Sequence, residues 1–135
     1  MQTGHHRQGR YKLLRNCRVN GLSSKKDRLG GLTPAVAVHD YCRTQDIPCW
    51  VGGMLESAVG QGPSLALATL DNIAYPADIF PSNRLYAQDL SAPDIALAAP
   101  GRMQAPNRPG HGFAPIPERL ERHTLKHARI ESRAI

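Results

Sequence analysis

The residues of this chain that have chemistry to offer form no single obvious set. Asp71, Asp78, Asp89 and Asp94 are scattered along the sequence, whereas a hard cation needs several oxygens converging on one point. Cys17, Cys42 and Cys49 are odd in number and show no CxxC spacing. Each is expected to be a small buried hydrophobe carrying a free thiol. The most suggestive local pattern is the apolar run Cys49-Trp50-Val51, opened by Pro48 and stopped abruptly at Gly52-Gly53. A short continuous apolar run reads as a parallel strand buried on both faces, and the loop after such a strand is where function usually sits. Glu56 follows as a candidate ligand or base. At the first turn of the next helix, its expected role is to meet the helix dipole.

Those positions need elements to hold them. In Thr33-Pro34-Ala35 and onward to Arg43, Thr33 suits an N-cap and Pro34 a first helical position. Val38, Tyr41 and Cys42 then share one face, and His39 on the same helix is expected to be structural. Gly62-Pro63-Ser64 is expected to start a second helix through Leu70, and Ile73-Ala74-Tyr75 a second short strand stopped by Pro76. Helix, strand, helix, strand with short connections is the α/β signature of βαβ units. From Ala92 onward the pattern changes. Ile95 to Leu97 and Arg102 to Gln104, split by Pro100-Gly101, read as a hairpin followed by an extended return, and Pro117 starts a last helix that breaks at Thr124.

Composition bounds what such a chain does. At 135 residues it is too short for a whole eight-stranded α/β barrel, which takes roughly 200–250 residues. Aromatics at 5%, with 12 glycines and 11 prolines, point to a loop-rich fold of marginal stability. No apolar stretch approaches the roughly 18 residues of a membrane span, and no apolar run follows the charges at the start, so neither a membrane anchor nor a signal peptide is expected. Free thiols then suggest the cytoplasm. The net charge of +6 lies mostly at the two ends of the chain. That makes a small nucleic-acid-binding protein the rival reading from another class, weakened by the lack of interleaved aromatics beyond Tyr11 and of any zinc or helix-turn-helix pattern.

Several blocks carry a resemblance. Arg28-Leu29-Gly30-Gly31-Leu32-Thr33-Pro34-Ala35, His39-Asp40-Tyr41-Cys42 and Ile47-Pro48-Cys49-Trp50-Val51-Gly52-Gly53-Met54-Leu55-Glu56-Ser57 are followed in order by Ala66 to Leu70, Tyr75 to Ile79, Arg84-Leu85-Tyr86 and Arg119 to Thr124. From about residue 25 to about residue 125 the chain resembles the C-terminal end of the o-succinylbenzoate synthases and N-acylamino acid racemases of the enolase superfamily. That family sets a capping domain over a modified α/β barrel. A Mg²⁺ ion there stabilises the enediolate formed when a lysine removes the proton α to a carboxylate, and the family's substrates are small carboxylates.

The resemblance implies the last two strand-helix units of such a barrel over residues 25–91, and a segment over 92–135 that returns toward the capping domain. Residues 1–24 are expected to be a basic arm, disordered or outside the family. Lys25-Lys26-Asp27-Arg28-Leu29-Gly30-Gly31 aligns with a family segment of form Lys-Pro-Gly-Arg followed by a Gly-Gly pair, which puts Lys25 at the catalytic position closing the sixth strand. Lys26 for Pro and Asp27 for Gly are departures. An extended backbone at that point sends Lys26 to the face opposite Lys25. Gly52, Gly53 and Met54 fall where the family's backbone approaches the substrate, and Asp78 is a weaker candidate to line the pocket or cap a backbone N–H. The three Mg²⁺-binding carboxylates have no counterpart in this chain, so no metal ligand is assigned. The implied activity is that of an o-succinylbenzoate synthase in menaquinone biosynthesis, truncated and inactive alone. An N-acylamino acid racemase or a muconate cycloisomerase-like remnant is the alternative, and a homo-oligomer is left open.

Overall fold

A computed structural model of the protein describes residues 22–129. The chain runs β1 (Leu22–Ser24), α1 (Lys26–Leu29), α2 (Leu32–Thr44), β2 (Cys49–Val51), α3 (Ala58–Leu67), a 3₁₀ turn (Ser82–Arg84), β3 (Leu97–Ala99), β4 (Arg102–Met103) and α4 (Pro117–His123). β1 and β2 pair in parallel, with Leu22 opposite Cys49 and Ser24 opposite Val51. β1 lies inside the stretch expected to be a basic arm. Residues 22–24 are instead a strand, made by backbone pairing without the apolar run that would have announced one. The rest of the expected arm, residues 1–21, lies outside the described residues.

On the far side of β2 the chain from 72 to 78 runs parallel to it, but only as isolated bridges, Cys49 with Ile73 and Gly52 with Asp78. Three backbone bonds fix this alignment: Cys49 N–H to Asn72 O at 2.9 Å, Ala74 N–H to Cys49 O at 2.9 Å and Asp78 N–H to Val51 O at 2.8 Å. Pro76, between the bridges, has no N–H to give a ladder. The α/β class and the succession of parallel units therefore stand, with the last strand reduced to its ends.

The helices depart from expectation in their starts. Gly31, at φ 113°, is the N-cap of α2 in place of Thr33. Gly30 at φ 91° caps α1, so the glycine pair joins two helices through backbone that L side chains rarely adopt. Pro34 becomes the third helical residue, where its missing N–H is still one of those without an intrahelical partner. Ala35, Val38, His39 and Cys42 form the buried face of α2. Cys42 and Cys49 meet in the core with Val38, and the hydrogen bond they share, together with burial, raises the Cys42 thiol above its ordinary range.

α3 begins at Ala58 rather than Gly62. Its first N–H is received by both carboxylate oxygens of Asp89, at 3.1 and 2.9 Å. That cap, 31 positions away in sequence, carries the helix past Gly62 and leaves Pro63 inside it. Gly62 is required by packing: a Cβ there would stand 2.4 Å from the His111 carbonyl oxygen and 2.9 Å from the Phe113 ring. The segment 111–113 thus lies on α3. Ile95, Ala58 and Leu65 bury one another there, with Met103 and Phe113 alongside.

The hairpin forms as β3 and β4, antiparallel around Gly101 at φ 69°. α4 starts at Pro117 and ends before Thr124, and Arg119 ties it down with hydrogen bonds to the carbonyls of Asp89 and Ser91 at 2.8 and 2.9 Å. Gly62→Ala should lower the unfolding free energy by about 1–3 kcal/mol through overpacking, even though alanine is by about 1 kcal/mol the better helix former. Urea denaturation measures it. A neutral or stabilised variant would show that the His111–Phe113 segment does not press on α3 in solution.

Candidate functional site

The exits of the parallel strands converge at one end of the section. Lys25 follows the last residue of β1, Gly52, Gly53 and Met54 follow β2, and Asp78 ends the third parallel stretch. Gly52 and Gly53 are buried. A Cβ on Gly53 would stand 2.0 Å from the Asp78 carbonyl oxygen, so this glycine is what lets the chain at Asp78 cross the end of β2. The close approach expected of a substrate at Gly53 is made by Asp78's own backbone. Met54 is exposed, and its Sδ lies 3.9 Å from Lys25 Nζ.

Lys26 is the larger correction. It is not sent to the face opposite Lys25, because α1 starts at Lys26 and ends the strand's alternation. Its side chain is 9% exposed and its Nζ bonds Asp27 Oδ1 at 3.0 Å and Glu56 Oε1 at 2.5 Å. Both lysines therefore reach the segment 54–56. Burial disfavours the Lys26 ammonium, but the hydrogen bonds to Glu56 and Asp27, reinforced by their charge, outweigh it and raise its pKa above the ordinary lysine value. Glu56 was expected to serve the dipole of α3; instead it is the partner of Lys26. Gly60 leaves room for it, since a Cβ there would stand 3.0 Å from Glu56 Cβ, and Gln61 Nε2 holds its carbonyl at 2.8 Å. Glu56 Oε2 is buried with no hydrogen-bond partner among the described residues.

His39 is structural, as expected. Asn72 N–H donates to its Nε2 at 3.2 Å, which leaves the ring proton on Nδ1, 3.0 Å from Asp40 Oδ1. Asp71 lies 3.3 Å from Nε2 and pairs with Arg43 at 2.9 Å. Among the described residues no three His, Cys, Asp or Glu side chains are grouped to hold a metal ion, and the carboxylate closest to the lysines is already engaged by Lys26. These residues do not fit a Mg²⁺ site. Clefts of about 480 and 490 Å³ open around Arg108 and Phe113, with none of the strand-exit residues in their walls.

The description that settles the family is the match of residues 3–119 to the enolase C-terminal domain-like model. The chain belongs to this family. The match begins within the stretch expected to lie outside it. Among relatives, an N-succinylamino acid racemase from Amycolatopsis sp is 41% identical over 106 residues, 78% of this chain and 28% of that protein. An o-succinylbenzoate synthase from Geobacillus kaustophilus is 36% identical over 111 residues, 82% of this chain and 29% of that protein. A solved enolase-superfamily protein from Listeria innocua superposes with a TM-score of 0.74 at 34% identity, covering 79% of this chain and 29% of that one. The chain thus spans less than a third of the length of these relatives. It is a C-terminal barrel section of the enolase superfamily, and no helix among the described residues is long and apolar enough to cross a membrane.

The raised Lys26 pKa has a stability consequence. A lysine that titrates higher in the folded state than in the unfolded one contributes fully below its unfolded value, about 10.4, and loses that contribution as pH climbs through the folded value. Unfolding free energy should therefore fall more steeply as pH rises above about 10 in the natural chain than in Lys26→Met. Urea titrations across that range check it, and parallel curves would sink it.

Proposed function

We propose that this chain supplies the C-terminal part of the barrel, with one of two catalytic lysines, to an o-succinylbenzoate synthase-like enzyme. Lys25 is the acid/base group that takes or returns the proton α to the substrate's carboxylate. Supporting this is one juxtaposition: Lys25 stands at the exit of β1 with its amine beside Met54 at the exit of the parallel β2, in a chain 36% identical to an o-succinylbenzoate synthase. Active sites of α/β barrels lie at the C-terminal ends of the strands, and a positioned lysine there is suited to general acid/base work.

In this reading the other residues shape the mouth. Met54 lies against the Lys25 stem end and limits the directions its amine can take. Gly52 and Gly53 keep the floor between β2 and Asp78 free of side chains, and Asp78 borders that floor. The family binds small carboxylates, and the enediolate formed from one is stabilised by Mg²⁺ in the superfamily. The described residues do not fit that ion, so its ligands belong to parts of the enzyme other than these. Racemisation of N-acylamino acids is the second reading, favoured by the 41% identity to the Amycolatopsis racemase, and it begins with the same proton transfer.

Two outcomes follow. The purified chain alone should show neither dehydration nor racemisation with added Mg²⁺; turnover abolished by EDTA would overturn this. When the chain is joined to the preceding part of the Geobacillus enzyme by fusion or co-expression, turnover should return. Lys25→Ala should then lower it by roughly 10²- to 10⁴-fold, the usual range for an acid/base group. An unchanged rate in Lys25→Ala would remove Lys25 from the chemistry.

A further inference from the structure

We propose that Lys26 is a positioning residue, which holds the Glu56 carboxylate in a fixed place and so keeps it off the neighbouring Lys25 amine. Two residues that depart from the family's motif, Lys26 and Asp27, turn out to be parts of one ionic cluster. The Lys26 ammonium bridges Asp27 and Glu56. Glu56 is held from behind as well, by Gln61 at its carbonyl and by the space left at Gly60. It nevertheless keeps one buried oxygen, Oε2, with no partner among the described residues.

A buried carboxylate oxygen without a donor is costly and attracts any ammonium within reach. The next one along the chain is Lys25. Its Nζ already lies against Met54, two residues before Glu56, and that soft sulfur contact at 3.9 Å is its hydrogen-bond partner among the described side chains. Lys25 and Glu56 thus stand at adjacent strand exits with opposite charge. A Lys25–Glu56 ion pair would hold the Lys25 amine protonated and aimed into the wall, useless as a base. Lys26 works against it by holding the Glu56 carboxylate in place through Oε1 with a buried ammonium. The charged groups on the meeting elements are Lys25, Lys26, Asp27 and Arg28 after β1, Glu56 after β2, and Asp78 at the end of the third stretch. Glu56 is the carboxylate among them that Lys26 restrains from across the strand exits.

The purpose of this arrangement rests on the reading of Lys25 as the working amine, but its test needs no turnover. Competitive acetylation of the full 135-residue chain with acetic anhydride, followed by mass spectrometry over a range of pH, reports how readily Lys25 loses its proton, with the exposed Lys126 as internal standard. Removing Lys26 also removes a like charge beside Lys25, so the informative quantity is the effect of Glu56→Gln with and without Lys26. With Lys26→Pro or Lys26→Met in place, Glu56→Gln should raise Lys25 reactivity near pH 8.5 by roughly three- to tenfold. With Lys26 present the same change should do clearly less, and Lys26→Arg should behave as the natural chain.

Lys26→Pro guards against a trivial loss of fold, because proline suits the first position of a helix, and that is where Lys26 stands in α1. Equal effects of Glu56→Gln in both backgrounds, or none without Lys26, would overturn the proposal. So would loss of helical signal in both Lys26 variants, which would make Lys26 a folding residue. None of these results depends on whether Lys25 catalyses, so failure of the enzyme reading would show separately, as an unchanged rate in Lys25→Ala of the completed barrel.

Discussion

The contact on which this end of the molecule depends is between two backbones. Asp78's carbonyl passes over Gly53 where no side chain would fit, while its N–H is received by Val51. That crossing sets the end of β2 and the end of the third parallel stretch at one level, and β1 is held to the same level by its register with Cys49 to Val51. Lys25, Met54 and Asp78 come together because three strand exits coincide. The side chains inherit a geometry that main-chain hydrogen bonds and one missing methyl group impose.

Electrostatics then sorts the two lysines. They are adjacent in sequence and both reach the 54–56 segment, yet one is buried between two carboxylates and the other rests on a thioether. A buried ion pair is not by itself a source of stability, since desolvation offsets most of the attraction. Its stronger consequence is fixity: if Lys26 moves, the buried Glu56 carboxylate loses its charged partner, and if Glu56 moves, the buried ammonium keeps only Asp27.

Much of the α/β order was legible in the sequence, and the reasons for the misses are local. α2 and α4 announce themselves through Pro34, Pro117 and the spacing of Val38, Tyr41 and Cys42, all signals that act within a few residues. The start of α3 was missed because the carboxylate that receives its first N–H is Asp89, far along the chain, while Ser57 stands at the N-cap without a capping bond of its own. β1 was missed because a three-residue strand paired with β2 through its backbone needs no apolar alternation of its own to exist. At the site, the family motif pointed to Lys25 and the glycine pair, but the Lys26–Glu56 pair joins residues 30 positions apart. The departure of Lys26 and Asp27 from the motif was the one signal available, and it marked where to look without naming the partner.

Asp89 has a wider consequence than capping a helix. Its carboxylate receives the first N–H of α3 and the N–H of Ser91, while its main-chain carbonyl receives Arg119 from α4. α3 and α4 are therefore anchored on the same residue. Opening of either one disturbs the other's anchor, so the two should shed amide protection as one cooperative unit, although residues 68–116 separate them in sequence.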